Sequence, residues 1–89
     1  MQGQDIKVLY FAAMRSHTTL YQDEFKFEDR SQITVDNIKK AISEKHPQVA
    51  DLLESCMVAV DGEYLFDNEE PIDVSAKTEI AVIPPISGG

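Results

Sequence analysis

Two segments near the start of the chain alternate as β-strands do. In residues 5–11, DIKVLYF, one face carries Ile6, Val8 and Tyr10, and the other carries Leu9 and Phe11. This nearly continuous apolar pattern predicts a strand that is buried on both of its faces.

The second segment, YQDEFKFE at residues 21–28, alternates more cleanly. Tyr21, Phe25 and Phe27 share one face, and the other face is polar. This pattern predicts a half-exposed strand at the edge of a sheet. The stretch between the two strands, AAMRSHTTL, is compatible with either a loop or one short helix.

The segment TVDNIKKAISEKHP at residues 34–47 carries the clearest helix signals. Thr34 is a suitable N-cap, and Asp36 lies in the first turn, where the helix dipole favours a negative charge. Pro47 cannot continue the hydrogen-bond ladder and should end the helix. One stripe at helical spacing is apolar and consists of Val35, Ile38, Ala41 and Ile42.

The second half of the chain predicts more strands. VADLLES is compatible with a short second helix, and CMVAV with a strand that turns at Asp61–Gly62 into EYLF. EIAVI is apolar enough to be a buried last strand. The order predicts an α+β domain over residues 1–83, with one main helix across one face of a mixed sheet. We expect the first and last strands side by side at its centre, and residues 84–89 as an extended tail.

Composition narrows the classes of protein to consider. The chain has 89 residues, enough for one core, and a formal net charge of −8, which argues against a nucleic-acid partner. No apolar stretch approaches the ~20 residues that cross a bilayer, and the N-terminus lacks the pattern of a secretory signal. With one cysteine and no membrane segment, we expect a cytosolic protein. The acidic stretches QDEFKFED and DNEE are either a solvated surface or a face that attracts basic partners.

The chain closes on an unusual tail, Pro84, Pro85, Ile86, Ser87, Gly88 and Gly89. The prolines fix φ and cannot donate to a neighbouring strand, so they should end the sheet and keep the tail extended. Six residues reach roughly 20 Å, enough to enter a deep pocket on another protein. Glycines without Cβ atoms fit a narrow channel. We expect the carboxylate of Gly89 to be the functional group. The alternative is a flexible chain end without a role, which is common for protein termini.

A carboxylate must be activated before a nucleophile can attack it, and formation of an acyl-adenylate with ATP is one means. The chain has no G-x-x-x-x-G-K-[ST] phosphate loop. We therefore expect no cofactor bound by the chain itself and expect a partner enzyme to hold the ATP. The domain would then be a carrier and not a catalyst.

Several segments together resemble a known family. KVLYFAAMR, HPQVADL and EIAVIPPISGG are similar to the small subunit of molybdopterin synthase, in its eukaryotic branch, and the resemblance covers residues 6–89. It implies a β-grasp, ubiquitin-like fold. It also implies a sulfur carrier in molybdenum cofactor biosynthesis, a non-catalytic subunit whose partner, the large subunit, holds the active site.

The resemblance implies roles for individual residues and partners. Gly89 would be adenylated by a ubiquitin-activating-type enzyme, converted to a thiocarboxylate by a sulfurtransferase, and inserted into the large subunit to donate sulfur to a cyclic pyranopterin precursor. Two small and two large subunits would form a heterotetramer. Gly88 would be the slender neighbour, and residues 84–87 the docking tail. Phe11 and Arg15 match the family's FA-x-x-R segment and are assigned to the interface as a hypothesis.

The chain departs from the family pattern at a few positions. Ala76 and Lys77 stand where many relatives carry Gly-Asp, and Ser16 stands where an acidic residue often follows the arginine. These differences concern the interface and not the tail. Three other functions stay open: a ubiquitin-like modifier, a sulfur carrier for tRNA thiolation or thiamine synthesis, and a β-grasp binding module. Ser87 argues against the modifier, because ubiquitin-type modifiers often carry arginine before Gly-Gly.

Other candidate sites are weak. Cys56 lies among apolar residues and should be an inert buried thiol. His17 and His46 fit no metal-binding spacing and are expected to be ordinary surface residues, so no metal site is predicted.

Overall fold

The computed structural model describes residues 4–75 and 77–85. Within them the chain forms five strands and three α-helices, with 3₁₀ turns at Arg30–Gln32 and Pro47–Val49. The strands and helices in chain order are β1 (Gln4–Tyr10), α1 (Ala12–Thr18), β2 (Gln22–Phe27), α2 (Val35–Lys45), α3 (Ala50–Ser55), β3 (Met57–Val60), β4 (Glu63–Leu65) and β5 (Ile80–Ile83). The segment between β1 and β2, which the sequence left open, is therefore a helix.

The five strands form one mixed sheet in the order β2-β1-β5-β3-β4. β1 and β5 are parallel, with Val8 paired to Ile80 and Tyr10 to Val82, and the other neighbours are antiparallel. The first and last strands thus lie together in the interior of the sheet, and β2 is an edge strand. Both predictions are confirmed.

The core lies between one face of the sheet and the helices. From the sheet, the side chains of Val8, Tyr10 and Val82 are fully buried, and from α2 those of Ile38 and Ile42 are fully buried. These residues follow the strand and helix periods that the sequence shows, because each element buries the face on which its apolar positions coincide.

The ends of α2 follow the sequence signals. The Oγ1 of Thr34 accepts a hydrogen bond from the Asn37 N–H at 3.1 Å, which confirms the N-cap. The helix ends at Lys45, and Pro47 begins a 3₁₀ turn instead of continuing it.

The turn between β3 and β4 is a two-residue hairpin loop, as Asp61–Gly62 predicts. Both residues have positive φ, 50° at Asp61 and 86° at Gly62, a conformation that suits the twist of a hairpin. The Asp61 N–H donates to the Glu79 carbonyl at 2.8 Å, and its Oδ1 accepts from the Glu79 N–H at 2.9 Å. These two bonds fasten the hairpin to the residue that precedes β5.

One prediction about burial is wrong. β1 and β5 are not buried on both faces: Lys7 is exposed, and Leu9, Ala81 and Ile83 are half-buried. The reason is that the apolar residues of the helices pack into the core beneath the other face of the sheet. In the part of the chain that the structure describes, no helix has the length and apolar character to cross a membrane.

Candidate functional site

The predicted tail begins where β5 ends. Ile83 is the last residue of β5, Pro84 is buried and Pro85 is exposed. Ile86, Ser87, Gly88 and Gly89 lie outside the described residues. Because β1 and β5 are parallel, both strands finish at the same end of the sheet, which we call the tail end.

Phe11 and Arg15, the two predicted interface residues, lie together at the tail end. Tyr10, the last residue of β1, pairs with Val82 of the parallel strand β5. Phe11 is the next residue of the chain and therefore lies beside Ile83. Arg15 is four residues further on and stacks on two rings, with its guanidinium carbon 5.9 Å from the Phe11 ring centre and 4.6 Å from that of Tyr21. We call these three residues the aromatic–arginine cluster.

Tyr21 was not recognised from the sequence as part of this site. It was expected to share the inward face of β2 with Phe25 and Phe27, but its side chain is 71% exposed, whereas the two phenylalanines pack against the core. The Tyr10 N–H donates to the Tyr21 carbonyl at 2.8 Å, which holds Tyr21 beside the end of β1, before β2 begins. Its ring contacts Arg15 of α1, six residues earlier in the chain.

An apolar surface extends from this cluster across the sheet. Leu9 pairs with Ala81, Ala81 with Ala59, and Ala59 with Tyr64, so these four residues form one row on one face of the sheet. The row and its neighbours Phe11 and Ile83 line a shallow cavity of about 260 Å³. We call this surface the open face, because the helices pack under the opposite one. It reaches the tail end.

A polar network on the other face joins β2 to α2. The side chain of Asp23 is only 6% exposed and forms an ion pair with Lys45, while its Oδ2 lies 2.9 Å from His46 Nε2. The Tyr10 hydroxyl donates to the same Oδ2 at 3.3 Å, and the Glu24 N–H donates to Oδ1 at 3.1 Å. Each oxygen of the buried carboxylate therefore has hydrogen-bond partners, as burial of a charge requires.

This environment changes two pKa values. Burial raises the pKa of the Asp23 carboxyl, but the hydrogen bonds from Lys45 and His46 and from the Glu24 N–H outweigh it, so the pKa is lowered overall. Burial, and then the charge and hydrogen bond of Asp23, raise the pKa of the Tyr10 hydroxyl. The carboxylate thus stays charged and the phenol neutral over a wide range of pH.

The expectation that His46 is an ordinary surface residue is wrong. Its side chain is 12% exposed, faces Asp23, and meets the Tyr10 ring edge-on, with 6.2 Å between ring centres. His17 is exposed, with Nδ1 2.7 Å from the Ala13 carbonyl oxygen. One signal could have identified the network: an acid, Asp23, stands at an inward position of β2, between Tyr21 and Phe25.

Cys56 is buried, as predicted. Burial raises the pKa of its thiol, and the charge of Lys39 opposes this only in part. The Sγ also lies 3.3 Å from the Leu52 carbonyl oxygen. Over residues 4–75 and 77–85, no group of three or more His, Cys, Asp or Glu is arranged to hold a metal ion.

Comparison with known proteins assigns the chain to a family. The ThiS family matches residues 8–89, a segment that runs through the strands, the helices and the terminal glycines. The chain belongs to the ThiS family. It is 33% identical over 84 residues to the molybdopterin synthase sulfur carrier subunit of Homo sapiens, covering 94% of this chain and 93% of that protein. It is 32% identical over 84 residues to the subunit of the same name from Chlamydomonas reinhardtii, covering 94% of this chain and 98% of that one. The family predicted from the sequence is confirmed.

Solved structures agree on the fold of this ThiS-family chain. The small archaeal modifier protein 1 from Methanosarcina acetivorans matches with a TM-score of 0.75 at 18% identity, covering 100% of both chains. A chain in the complex of subunits 1 and 2 of molybdopterin-converting factor from Helicobacter pylori matches with a TM-score of 0.60 at 16% identity, covering 97% of this chain and 100% of that one. The β-grasp fold is thereby confirmed.

Proposed function

We propose that this chain is the sulfur carrier subunit of a molybdopterin synthase and acts in molybdenum cofactor biosynthesis. The observation that carries the proposal is its likeness, over nearly the full length of both chains, to proteins named molybdopterin synthase sulfur carrier subunit. The family match extends to residue 89, so the Gly-Gly end belongs to the shared region.

In the proposed chemistry, Gly89 is the terminal residue and its carboxylate is the reacting group. One carboxylate oxygen attacks the α-phosphorus of ATP, which forms a glycyl adenylate and releases pyrophosphate. A sulfur nucleophile on a partner then attacks the carbonyl carbon, and AMP leaves with the oxygen. When this nucleophile is the outer sulfur of a donor persulfide, a second thiol then reduces the sulfur–sulfur bond of the acyl disulfide, forms a disulfide with the donor's inner sulfur and releases Gly89 as a thiocarboxylate. Transfer of this sulfur to the cyclic pyranopterin precursor, with water supplying oxygen, restores the carboxylate.

The chain supplies positioning in this proposal, and its partners supply catalysis. ATP is held by a ubiquitin-activating-type adenylyltransferase, sulfur comes from a sulfurtransferase, and the active site for the pterin belongs to the large subunit. In this proposal the steps take place in the cytosol. Two small and two large subunits assemble into the heterotetramer in which the sulfur is transferred to the pterin.

The large subunit is proposed to bind the tail end and the open face together. The tail, residues 84–89, starts from an interior strand next to Phe11 and Arg15, so a partner that takes up the tail must also meet these side chains. The apolar cavity lined by Leu9 and Ile83 begins at the same place. An apolar surface surrounded by polar residues is typical of protein interfaces.

Intact-mass measurement tests the carrier chemistry. The purified chain is incubated with ATP, a ubiquitin-activating-type enzyme and a sulfur source, beside a variant that lacks Gly89 and a Glu44→Ala control at an exposed position on α2. We expect the full-length chain and the control to gain the mass of one sulfur minus one oxygen, and the truncated chain to gain nothing. Lysine-linked conjugates instead of this gain would make the chain a protein modifier. A gain in the truncated chain would exclude Gly89 as the carrier.

A further inference from the structure

A groove runs along β4, the edge strand opposite β2. It has a volume of about 600 Å³ and is lined by β4 with its flanking residues and by residues of the following loop, from Asp67 to Asp73. This groove is separate from the shallow cavity of the open face, although Tyr64 borders both.

The main chain of β4 is open toward this groove. Within residues 4–75 and 77–85, β4 pairs only with β3, through Val60–Glu63, Ala59–Tyr64 and Val58–Leu65. In a two-residue hairpin the residues that flank the loop bond to each other, so the N–H and C=O of Tyr64 point away from β3. Among the main-chain hydrogen bonds of the described residues, none joins β4 to the loop at 67–73. An open edge of this kind can accept one further strand.

The charge of the groove selects its occupant. The described residues that line it include five acids, Asp61, Glu63, Asp67, Glu70 and Asp73, and no lysine or arginine. The carboxylates of Asp61 and Asp67 already accept main-chain hydrogen bonds. Those of Glu63, Glu70 and Asp73 have no such bond among the described residues and can attract a cation. A second copy of this chain is a poor occupant, because its own β4 would bring Glu63 against like charge.

Apolar contacts accompany the charges. Phe66 is 80% exposed and Tyr64 is 49% exposed. Leu65 pairs with Val58, which in turn pairs with Val82. The next residue, Phe66, therefore lies level with Ile83, the last residue of β5, and the groove reaches the tail end. Two exposed rings beside an open strand edge offer side-chain contacts to an added strand, whose residues alternate between its two faces.

We propose that the groove along β4 binds an extended segment of a partner protein that alternates lysine or arginine with apolar residues and adds to the sheet as a sixth strand. The main chain of Tyr64 provides the strand pairing, the carboxylates of Glu63, Glu70 and Asp73 provide the charge selection, and Phe66 provides the apolar contact. This site does not involve Gly89, and it stands whether or not the tail carries sulfur.

A peptide titration followed by NMR tests this inference on the full chain. The probe is acetyl-Lys-Val-Lys-Val-Lys-amide, and its matched control is acetyl-Glu-Val-Glu-Val-Glu-amide. We expect the lysine peptide to shift the amide signals of residues 63–66, with an affinity that falls as salt is added, and the glutamate peptide to leave them unchanged. Shifts centred on the other edge strand, β2, or no shifts with either peptide, would overturn the proposal.

Variants separate main-chain pairing from simple attraction. Tyr64→Pro removes the outward N–H at a strand edge that tolerates proline, whereas Tyr64→Ala removes the ring and keeps the N–H. Peptide affinity should be about two- to tenfold lower in Tyr64→Pro than in Tyr64→Ala, the effect of one main-chain hydrogen bond. Equal affinities in these two variants would exclude strand addition.

The charge of the groove is tested without touching the strand. Glu70→Lys should lower the affinity about two- to fivefold, and Glu44→Lys, an exposed change on α2 with the same change in net charge, should have little effect. An equal loss of affinity in both variants would mean that only the net charge of the protein matters, and it would contradict a defined site. Dimerisation of the chain through β4, detected by sedimentation, would contradict the choice of occupant.

Discussion

The Oδ2 of Asp23 and the Nε2 of His46 lie 2.9 Å apart and join the edge strand β2 to the residue that caps α2. The two residues are 23 positions apart in the chain. The hydroxyl of Tyr10, on the neighbouring strand, donates to the same carboxylate oxygen. The contact therefore connects three elements and holds an edge strand whose one neighbour in the described sheet is β1.

Removing the carboxylate should destabilise the domain. Asp23→Ala leaves the Tyr10 hydroxyl and the His46 ring without their partner, and we expect the free energy of unfolding to fall by about 1–3 kcal/mol. Urea denaturation followed by circular dichroism measures this difference. Glu24→Ala, an exposed position on the same strand, is the control and should change stability by less than about 0.5 kcal/mol. Equal effects of the two variants would contradict a role for the network.

The same carboxyl should make stability depend on acid pH. Its pKa lies below the ordinary value of 3.8, so as pH falls the unfolded chain takes up this proton before the folded one does. The stabilisation is complete above about pH 4–5 and is lost as the pH falls through the lowered folded pKa. We expect the stability difference between the natural chain and Asp23→Asn to shrink over that range. A difference that stays constant from neutral to acid pH would contradict this assignment.

Cys56 should be unreactive and unnecessary for sulfur loading. Its thiol is buried and its pKa is raised, so little thiolate is accessible to reagents. We expect alkylation by iodoacetamide to be slow in the native protein and fast in urea. In the mass assay, Cys56→Ala should load sulfur as the natural chain does, because the proposed carrier is the main-chain carboxylate. Loss of the gain in a folded Cys56→Ala protein would show that loading of Gly89 needs the thiol and would contradict this prediction.

The open face should contribute to binding of the large subunit. Phe11 is 38% exposed and borders both the cavity and the stacked Arg15 side chain. We expect Phe11→Ala to weaken the complex about tenfold, the effect of a moderate interface hot spot, while the free protein stays folded. Calorimetric titration measures the affinity, and Glu44→Ala on α2 is the control. Unchanged affinity in Phe11→Ala would remove the residue from the interface.

The local signals in the sequence determined much of this fold. Thr34 and Pro47 set the limits of α2, because capping and the missing N–H of proline act on neighbouring residues only. Asp61–Gly62 determined the hairpin because glycine adopts positive φ freely and aspartate tolerates it better than most residues do. The apolar character of β1 and β5 was enough to place them together inside the sheet. The likeness of PPISGG to a known family suggested the carrier role.

The tertiary structure decided what depends on distant partners. Lys7 and Leu9 lie on the open face of β1. The alternation of residues along the strand could not predict that this face is open, because its exposure depends on the side of the sheet on which the helices pack. Tyr21 lies outside the core, with Arg15 of α1 beside its ring. Asp23 contacts His46 because α2 crosses the sheet and brings its C-terminal end beside β2. Hydrophobic periodicity shows which residues of one element share a face. Ion pairs, contacts between rings and cations, and open surfaces depend on how separate elements pack against one another.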